Sequence, residues 1–129
     1  MGQPQKRRAV LIVEDDAELR SLTAALLADG QVVTIECESA EAALAVMLID
    51  GWEVAMIFAD VRLPGVMDGV DLAWEVKKRW PLLPVILTSG LPRDRVGELP
   101  LGVGYMPKPW QALNVLIAAE QACAPARGG

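Results

Sequence analysis

Several apolar runs of this chain end in polar residues suited to one kind of chemistry. Ala9 to Val13 is followed by Glu14-Asp15-Asp16, and Val54 to Ala59 by Asp60. Pro84 to Leu87 is followed by Thr88-Ser89-Gly90, and Val103 to Met106 by Pro107-Lys108-Pro109. An acidic residue closing a buried strand projects into the crevice where open α/β sheets bind ligands. Carboxylates gathered there repel one another and raise each other's pKa. A hard divalent cation relieves that repulsion, and an all-oxygen site that keeps several waters suits Mg²⁺. The ammonium of Lys108 adds positive charge and the hydroxyl of Thr88 a hydrogen bond, so the set is able to hold phosphoryl oxygens beside Asp60. Phosphoryl transfer asks mainly for positioning and charge neutralisation, and carboxylates form aspartyl-phosphates. Asp60 is therefore the candidate nucleophile and phosphoacceptor. Taken singly, each residue has a plainer use: acids start helices, Thr88 caps a loop, Lys108 sits in a turn. The chemical reading depends on all of them reaching one edge of one sheet.

The intervening segments supply the frame for such an edge. Ala17 to Ala28 reads as a helix with Leu19, Leu22 and Leu26 on one face, stopped by Gly30. Val32, Val33 and Ile35 form a second strand. Ser39 caps a helix from Ala40 to about Ile49, with Ala43, Val46 and Met47 as its inner face and Gly51 as its stop. Arg62, Pro64, Gly65 and Asp68-Gly69 make a loop after Asp60. Val70 to Trp80 is a helix that turns Leu72, Ala73 and Val76 inward, with Lys77, Lys78 and Arg79 at the favourable end of its dipole, and Pro81 ends it. A last helix runs from Pro109, a good first-turn residue, to about Ala122, with Trp110, Leu113, Leu116 and Ile117 apolar. Between Gly90 and Gly102 the residues Pro92, Gly97 and Pro100 interrupt any helical period, so a loop or a single turn is expected. Strands alternating with helices predict an α/β fold with a parallel sheet.

Composition narrows the function. At 129 residues and 53% hydrophobic content, one domain with a real core is expected. The net charge of −5 lends no support to direct DNA binding. Lys6-Arg7-Arg8 is expected to be a solvated part of a flexible N-terminal arm, residues 1–8, and residues 123–129 a flexible tail. The absence of histidine excludes His-based metal sites, Ser-His or Cys-His catalysis and a phosphohistidine on these residues. Cys37 and Cys123 follow no metal spacing and fit a reduced, cytoplasmic protein. No segment has the length of a membrane span, and from its first residues no signal peptide is expected.

Val-Glu-Asp-Asp (13–16), Asp-Val-Arg-Leu-Pro-Gly-Val-Met-Asp-Gly (60–69), Leu-Thr-Ser-Gly (87–90) and Tyr-Met-Pro-Lys-Pro (105–109) together resemble the motifs of the receiver domains of two-component response regulators, in the family's order. The resemblance implies a doubly wound, five-stranded parallel sheet of the flavodoxin-like (βα)5 kind over residues 9–122, here with a weak or missing fourth helix. It implies that Asp60 is phosphorylated with Mg²⁺ as cofactor, and that Asp15 is a direct ligand of the metal. Glu14 would be its partner acid, often acting through water, and Arg62 would give its backbone carbonyl. It makes Thr88 the switch hydroxyl, Ser89 the small residue that keeps the site accessible, Lys108 the phosphate-binding lysine and Tyr105 the switch aromatic. It also suggests a cis Lys108-Pro109 bond.

The implied function is a phosphorylation-dependent signalling switch that takes its phosphoryl group from a histidine kinase or a histidine phosphotransfer protein. Phosphorylation would draw Thr88 toward Asp60, vacate space for Tyr105 to rotate inward and change the output surface. The Pro64–Asp68 loop is one residue longer than the family's commonest form. The poor fourth helix would remodel a surface that often serves output and homodimerisation, so partner choice or dimer mode is expected to depart from the common form. A degenerate receiver that binds partners without phosphate remains the alternative. A hydrolase with an aspartyl-phosphate intermediate would want a second acid where Arg62 stands. Gly102-Val-Gly104 is too short for a dinucleotide fingerprint. With no output domain in the sequence, either a stand-alone receiver or a piece of a larger regulator or hybrid kinase is expected.

Overall fold

The computed structural model describes residues 8–50, 53–90 and 95–124. Its elements run β1 (Ala9–Val13), α1 (Ala17–Asp29), β2 (Val33–Cys37), α2 (Ala40–Asp50), β3 (Val54–Asp60), α3 (Gly69–Arg79), β4 (Val85–Ser89), a 3₁₀ turn (Val96–Glu98), β5 (Gly104–Pro107) and α4 (Ala112–Cys123). The strands form one parallel sheet in the order β2-β1-β3-β4-β5. This is the doubly wound α/β arrangement, and among the described residues a single 3₁₀ turn stands where a fourth helix between strands would lie. Residues 1–7 of the expected arm, residues 125–129 of the expected tail, Gly51 and Pro92 lie outside the described residues.

The burial of each strand follows from its place in the sheet. β1 and β3 are central and covered on both faces, so they are continuous apolar runs with every residue buried. β2 and β5 are edges and largely half-buried. Alternation along β1 splits the core in two. Leu11 and Val13 join Ala43, Met47, Leu72, Ala73 and Val76 under α2 and α3. Val10 and Ile12 join Leu27, Met56, Phe58, Val115 and Ala119 under α1 and α4.

Two helix faces differ from expectation. On α1 the buried residues are Thr23 and Leu27, whereas Leu22 is 68% exposed. A count of leucines misses this face because Thr23 satisfies its hydroxyl within the helix, donating to the Leu19 carbonyl at 2.8 Å, and is then as buriable as an aliphatic residue. The last helix begins at Ala112, after an extended Gln111, rather than at Pro109. Its inner face is Val115 and Ala119, with Leu113 and Ile117 exposed. Cys123, expected in the tail, closes this helix.

Caps set the other boundaries. Ser39 Oγ accepts from Ala42 N–H at 3.0 Å. Asp68 and Asp71 form a reciprocal capping box at the start of α3. Beyond the helix dipole effect, Lys77 Nζ donates to the Leu83 carbonyl at 2.7 Å and so holds the turn into β4. The 3₁₀ turn is held to α3 by side chains. The Arg95 guanidinium bonds Asp68 at 2.7 Å, Asp71 at 3.3 Å and Glu98 at 3.0 Å, and Trp74 Nε1 donates to the Glu98 carbonyl.

Candidate active site at the carboxyl edge of the sheet

Parallel register brings the site together. Val13 pairs with Ala59, Asp60 with Thr88, and Ser89 with Pro107, so the residues that follow or end these pairs stand side by side at one edge. Glu14, Asp60, Thr88 and Ser89 are buried polar residues there. Lys108 N–H donates to the Ser89 carbonyl at 2.9 Å, and Val61 N–H to the Thr88 carbonyl at 2.8 Å, which fixes β3, β4 and the end of β5 against one another. The Lys108-Pro109 bond is cis, as expected. Trp110, which follows it, meets Phe58 edge-on with ring centroids 5.5 Å apart. Trp110 is thus part of the floor of the site rather than of the helix face. A small cavity there is lined by Glu14, Asp60 and Thr88 on the polar side and by Leu19, Phe58 and Trp110 on the apolar side.

The charges at this edge are shared out among few groups. Lys108 Nζ lies 2.6 Å from Asp60 Oδ2 and 3.2 Å from Glu14 Oε1. Asp60 Oδ1 accepts from Arg62 N–H at 2.9 Å, and Glu14 Oε2 accepts from Asp16 N–H at 3.2 Å. Burial pushes the Glu14 carboxyl up to about 7, opposed by the Asp16 N–H, with the charge of Asp60 pushing it further. Burial works against the Lys108 ammonium, but the hydrogen bond and charge of Asp60, with Glu14 adding, hold its pKa above the ordinary lysine value. One ammonium therefore stands between two acids that would otherwise repel.

The predicted residues do not all converge. Asp15 is exposed, and its side chain makes no hydrogen bond among the described residues. Among the described residues no three acidic, histidine or cysteine side chains form a ready cage. The donor set nevertheless fits a hard cation. Glu14 and Asp60 are buried acids close enough to raise the Glu14 pKa, Asp15 is adjacent at the rim, and all are oxygen donors. Thr88 Oγ1 and the Tyr105 hydroxyl are both buried without a hydrogen-bond partner among the described residues. Tyr105, expected to rotate inward on activation, already has its hydroxyl screened from solvent. Two groups escaped the sequence reading. Glu41 on α2 accepts from Val66 and Met67 N–H at 3.0 and 2.9 Å, and Arg20 on α1 donates to the Glu14 carbonyl at 2.7 Å. Both reach across between elements, and no spacing in the sequence signals either contact.

Two glycines permit close approaches around the phosphoacceptor candidate. A Cβ on Gly69 would stand 2.2 Å from the Asp60 carbonyl oxygen, so only glycine lets the start of α3 lie against the end of β3. Gly65 adopts φ +95° with the Glu41 carboxylate packed against its α-carbon.

Comparison with known proteins bears on this geometry. The family model described as the response regulator receiver domain matches residues 10–119. The response regulator protein FleR of Pseudomonas aeruginosa is 36% identical over 110 residues, covering 83% of this chain and 23% of that protein. The DNA-binding transcriptional regulator NtrC of Salmonella typhimurium is 31% identical over 120 residues, covering 91% of this chain and 25% of that protein. The chain thus spans about a quarter of the length of these relatives. The crystal structure of the receiver domain of NtrX from Brucella abortus superposes with a TM-score of 0.77 at 31% identity, covering 88% of this chain and 97% of that one. The signal receiver domain of an HD domain-containing protein from Pseudomonas fluorescens gives a TM-score of 0.80 at 24% identity, a likeness of fold, and covers 90% of this chain and 94% of that one.

Proposed function

The chain belongs to the response regulator receiver domain family, and from that premise we propose that it is a phosphorylation-dependent switch whose phosphoacceptor is Asp60. The observation that carries the proposal is the buried Asp60 carboxylate, 6% exposed, held 2.6 Å from the Lys108 ammonium at the carboxyl edge of the sheet. The donor is a phosphohistidine on a histidine kinase or a histidine phosphotransfer protein. An Asp60 carboxylate oxygen forms the new P–O bond while the P–N bond of the donor breaks, and the donor imidazole leaves with the electron pair. Lys108, already on Asp60, pairs with the phosphoryl oxygens as negative charge moves onto them. Arg62 N–H fixes the orientation of the attacking carboxylate. Thr88 Oγ1, unpartnered here, donates to a phosphoryl oxygen. Glu14, Asp15, Asp60 and the carbonyl of Arg62 would hold Mg²⁺, which neutralises charge on the transferring group.

Coupling to output runs through Thr88 and Tyr105 on neighbouring strands, Tyr105 pairing in register with Leu87. In this reading the domain assists its own phosphorylation and dephosphorylation but is a regulator rather than an enzyme acting on other molecules. The turn at Val96–Glu98 sets its output surface, and any homodimer face, apart from the commoner form of the family.

Intact-mass analysis after incubation with acetyl phosphate tests the acceptor. One phosphoryl group is expected on the wild type with Mg²⁺, and none without Mg²⁺ or in Asp60→Asn. The alternative, a degenerate receiver that binds partners without phosphate, draws on one observation, the exposed Asp15 outside any cage. It would be selected by a wild type that neither gains mass nor binds Mg²⁺.

A further inference from the structure

Asp15 presents a problem that the rest of the site does not. Glu14, Asp60 and Lys108 hold one another through side-chain contacts, whereas the Asp15 side chain is exposed and makes no hydrogen bond among the described residues. Its placement therefore depends on the two peptide units that flank it. The preceding residue, Glu14, is held through both of its backbone groups, of which only the carbonyl belongs to the peptide unit that joins it to Asp15. The Glu14 N–H donates to the Cys37 carbonyl at 3.0 Å, and the Glu14 carbonyl accepts from Arg20 Nη1 at 2.7 Å. The following unit is held by Asp16 N–H, which donates to Glu14 Oε2 at 3.2 Å. That last contact uses the carboxylate that the proposed function assigns to the cation, so it competes with the cation's own demand. The Arg20 contact does not.

Arg20 is built for this task. Its side chain is 17% exposed. Its position on the first turns of α1 is secured by Asp16, whose side chain caps the helix through Glu18 and Leu19 N–H. The guanidinium spans two strands, with Nη1 on the Glu14 carbonyl beyond β1 and Nε 3.2 Å from Glu36 Oε1 on β2. Arginine's planar fork allows two such contacts in fixed geometry where an ammonium gives one point charge. Glu36 balances the charge that Arg20 brings close to a cation-binding loop.

We propose that Arg20 is a positioning residue for cation binding, clamping the Glu14 carbonyl so that the Glu14-Asp15 peptide presents Asp15 to the metal. The inference rests on the proposed function for the identity of the cation. It concerns a residue that touches neither the metal nor the phosphoryl group. Outer partners that orient metal ligands in this way are commonly worth one to two orders of magnitude in affinity.

The two effects of Arg20 have opposite signs, which makes the test decisive. Loss of the clamp weakens Mg²⁺ binding, while loss of a nearby positive charge strengthens it. Isothermal titration of the metal-free protein with Mg²⁺ alone is expected to give a Kd about tenfold higher in Arg20→Met than in wild type. Arg20→Lys, which keeps the charge and one donor but loses the fork, is expected to fall between them. Amide exchange at Asp15 and Asp16 in the metal-free protein is expected to be faster in both variants. An unchanged or lower Kd in Arg20→Met overturns the inference, as does an Arg20→Lys variant equal to wild type in both Kd and exchange. If Arg20→Met does not fold, Arg20→Lys decides alone. A wild type that gives no Mg²⁺ binding overturns this inference together with the function it rests on. Binding in wild type with an unmoved Kd in the variants overturns the inference alone.

Discussion

At the scale of single residues, the informative atoms are the two hydroxyls that have no partner. A buried donor left unsatisfied costs about 1–3 kcal/mol, whereas replacing it with an apolar group of the same shape is nearly neutral or stabilising. Thr88 Oγ1 and the Tyr105 hydroxyl are such groups among the described residues. Thr88→Val and Tyr105→Phe are therefore expected to leave the urea midpoint unchanged or raise it. Thr88→Val is also expected to abolish the conformational response to phosphorylation, read as a change in amide exchange along β4 and β5. A fall of more than about 1 kcal/mol in either variant would mean that the hydroxyl is bonded after all. Cys37 and Cys123 are both free thiols, with burial pushing Cys37 up to about 11.

At the scale of elements, two features separate what periodicity can read from what it cannot. On α1, periodicity places Leu22 on the inner face and leaves Leu27 out, whereas the fold buries Leu27 and exposes Leu22. Leu27→Ala is expected to cost about 2–5 kcal/mol by denaturant titration, and Leu22→Ala to stay within about 0.5 kcal/mol. Equal costs would show that the helix is rotated from the orientation described. The loop after β3 depends on Glu41. Hydrogen bonds from Met67 and Val66 N–H hold its carboxyl below the usual carboxylate range. A carboxyl depressed in the folded state contributes stability above its ordinary pKa and loses it as pH falls through its folded value. Exchange protection of the Val66 and Met67 amides is thus expected to fall on the acid side. In Glu41→Gln, whose amide still accepts but does not titrate, the protection should be flat with pH. The longer loop noted in the sequence is accordingly tied to α2 rather than loose.

At the scale of the whole molecule, one sheet with a core on each face should unfold as a unit, since both cores share β1 and β3. Tryptophan fluorescence and far-ultraviolet circular dichroism are expected to give coincident urea transitions, and separated midpoints would assign the faces to independent units. Among the described residues no helix is long and apolar enough to cross a membrane. The sequence by itself determined the α/β alternation and the interruption of the helical period between Gly90 and Gly102, where a loop or a single turn was to be expected. It also determined the set Glu14, Asp60, Thr88 and Lys108, because buried strands need continuous apolar runs and each run stops where polar chemistry begins. The inner faces of α1 and α4 were decided only by tertiary structure, because Thr23 can hide its hydroxyl and because the last helix starts after Gln111. Tertiary structure alone also separated Asp15 from its neighbours and placed Arg20, Glu41 and Arg95. Those contacts join elements that are distant along the chain, and parallel packing rather than any local preference sets which of them meet.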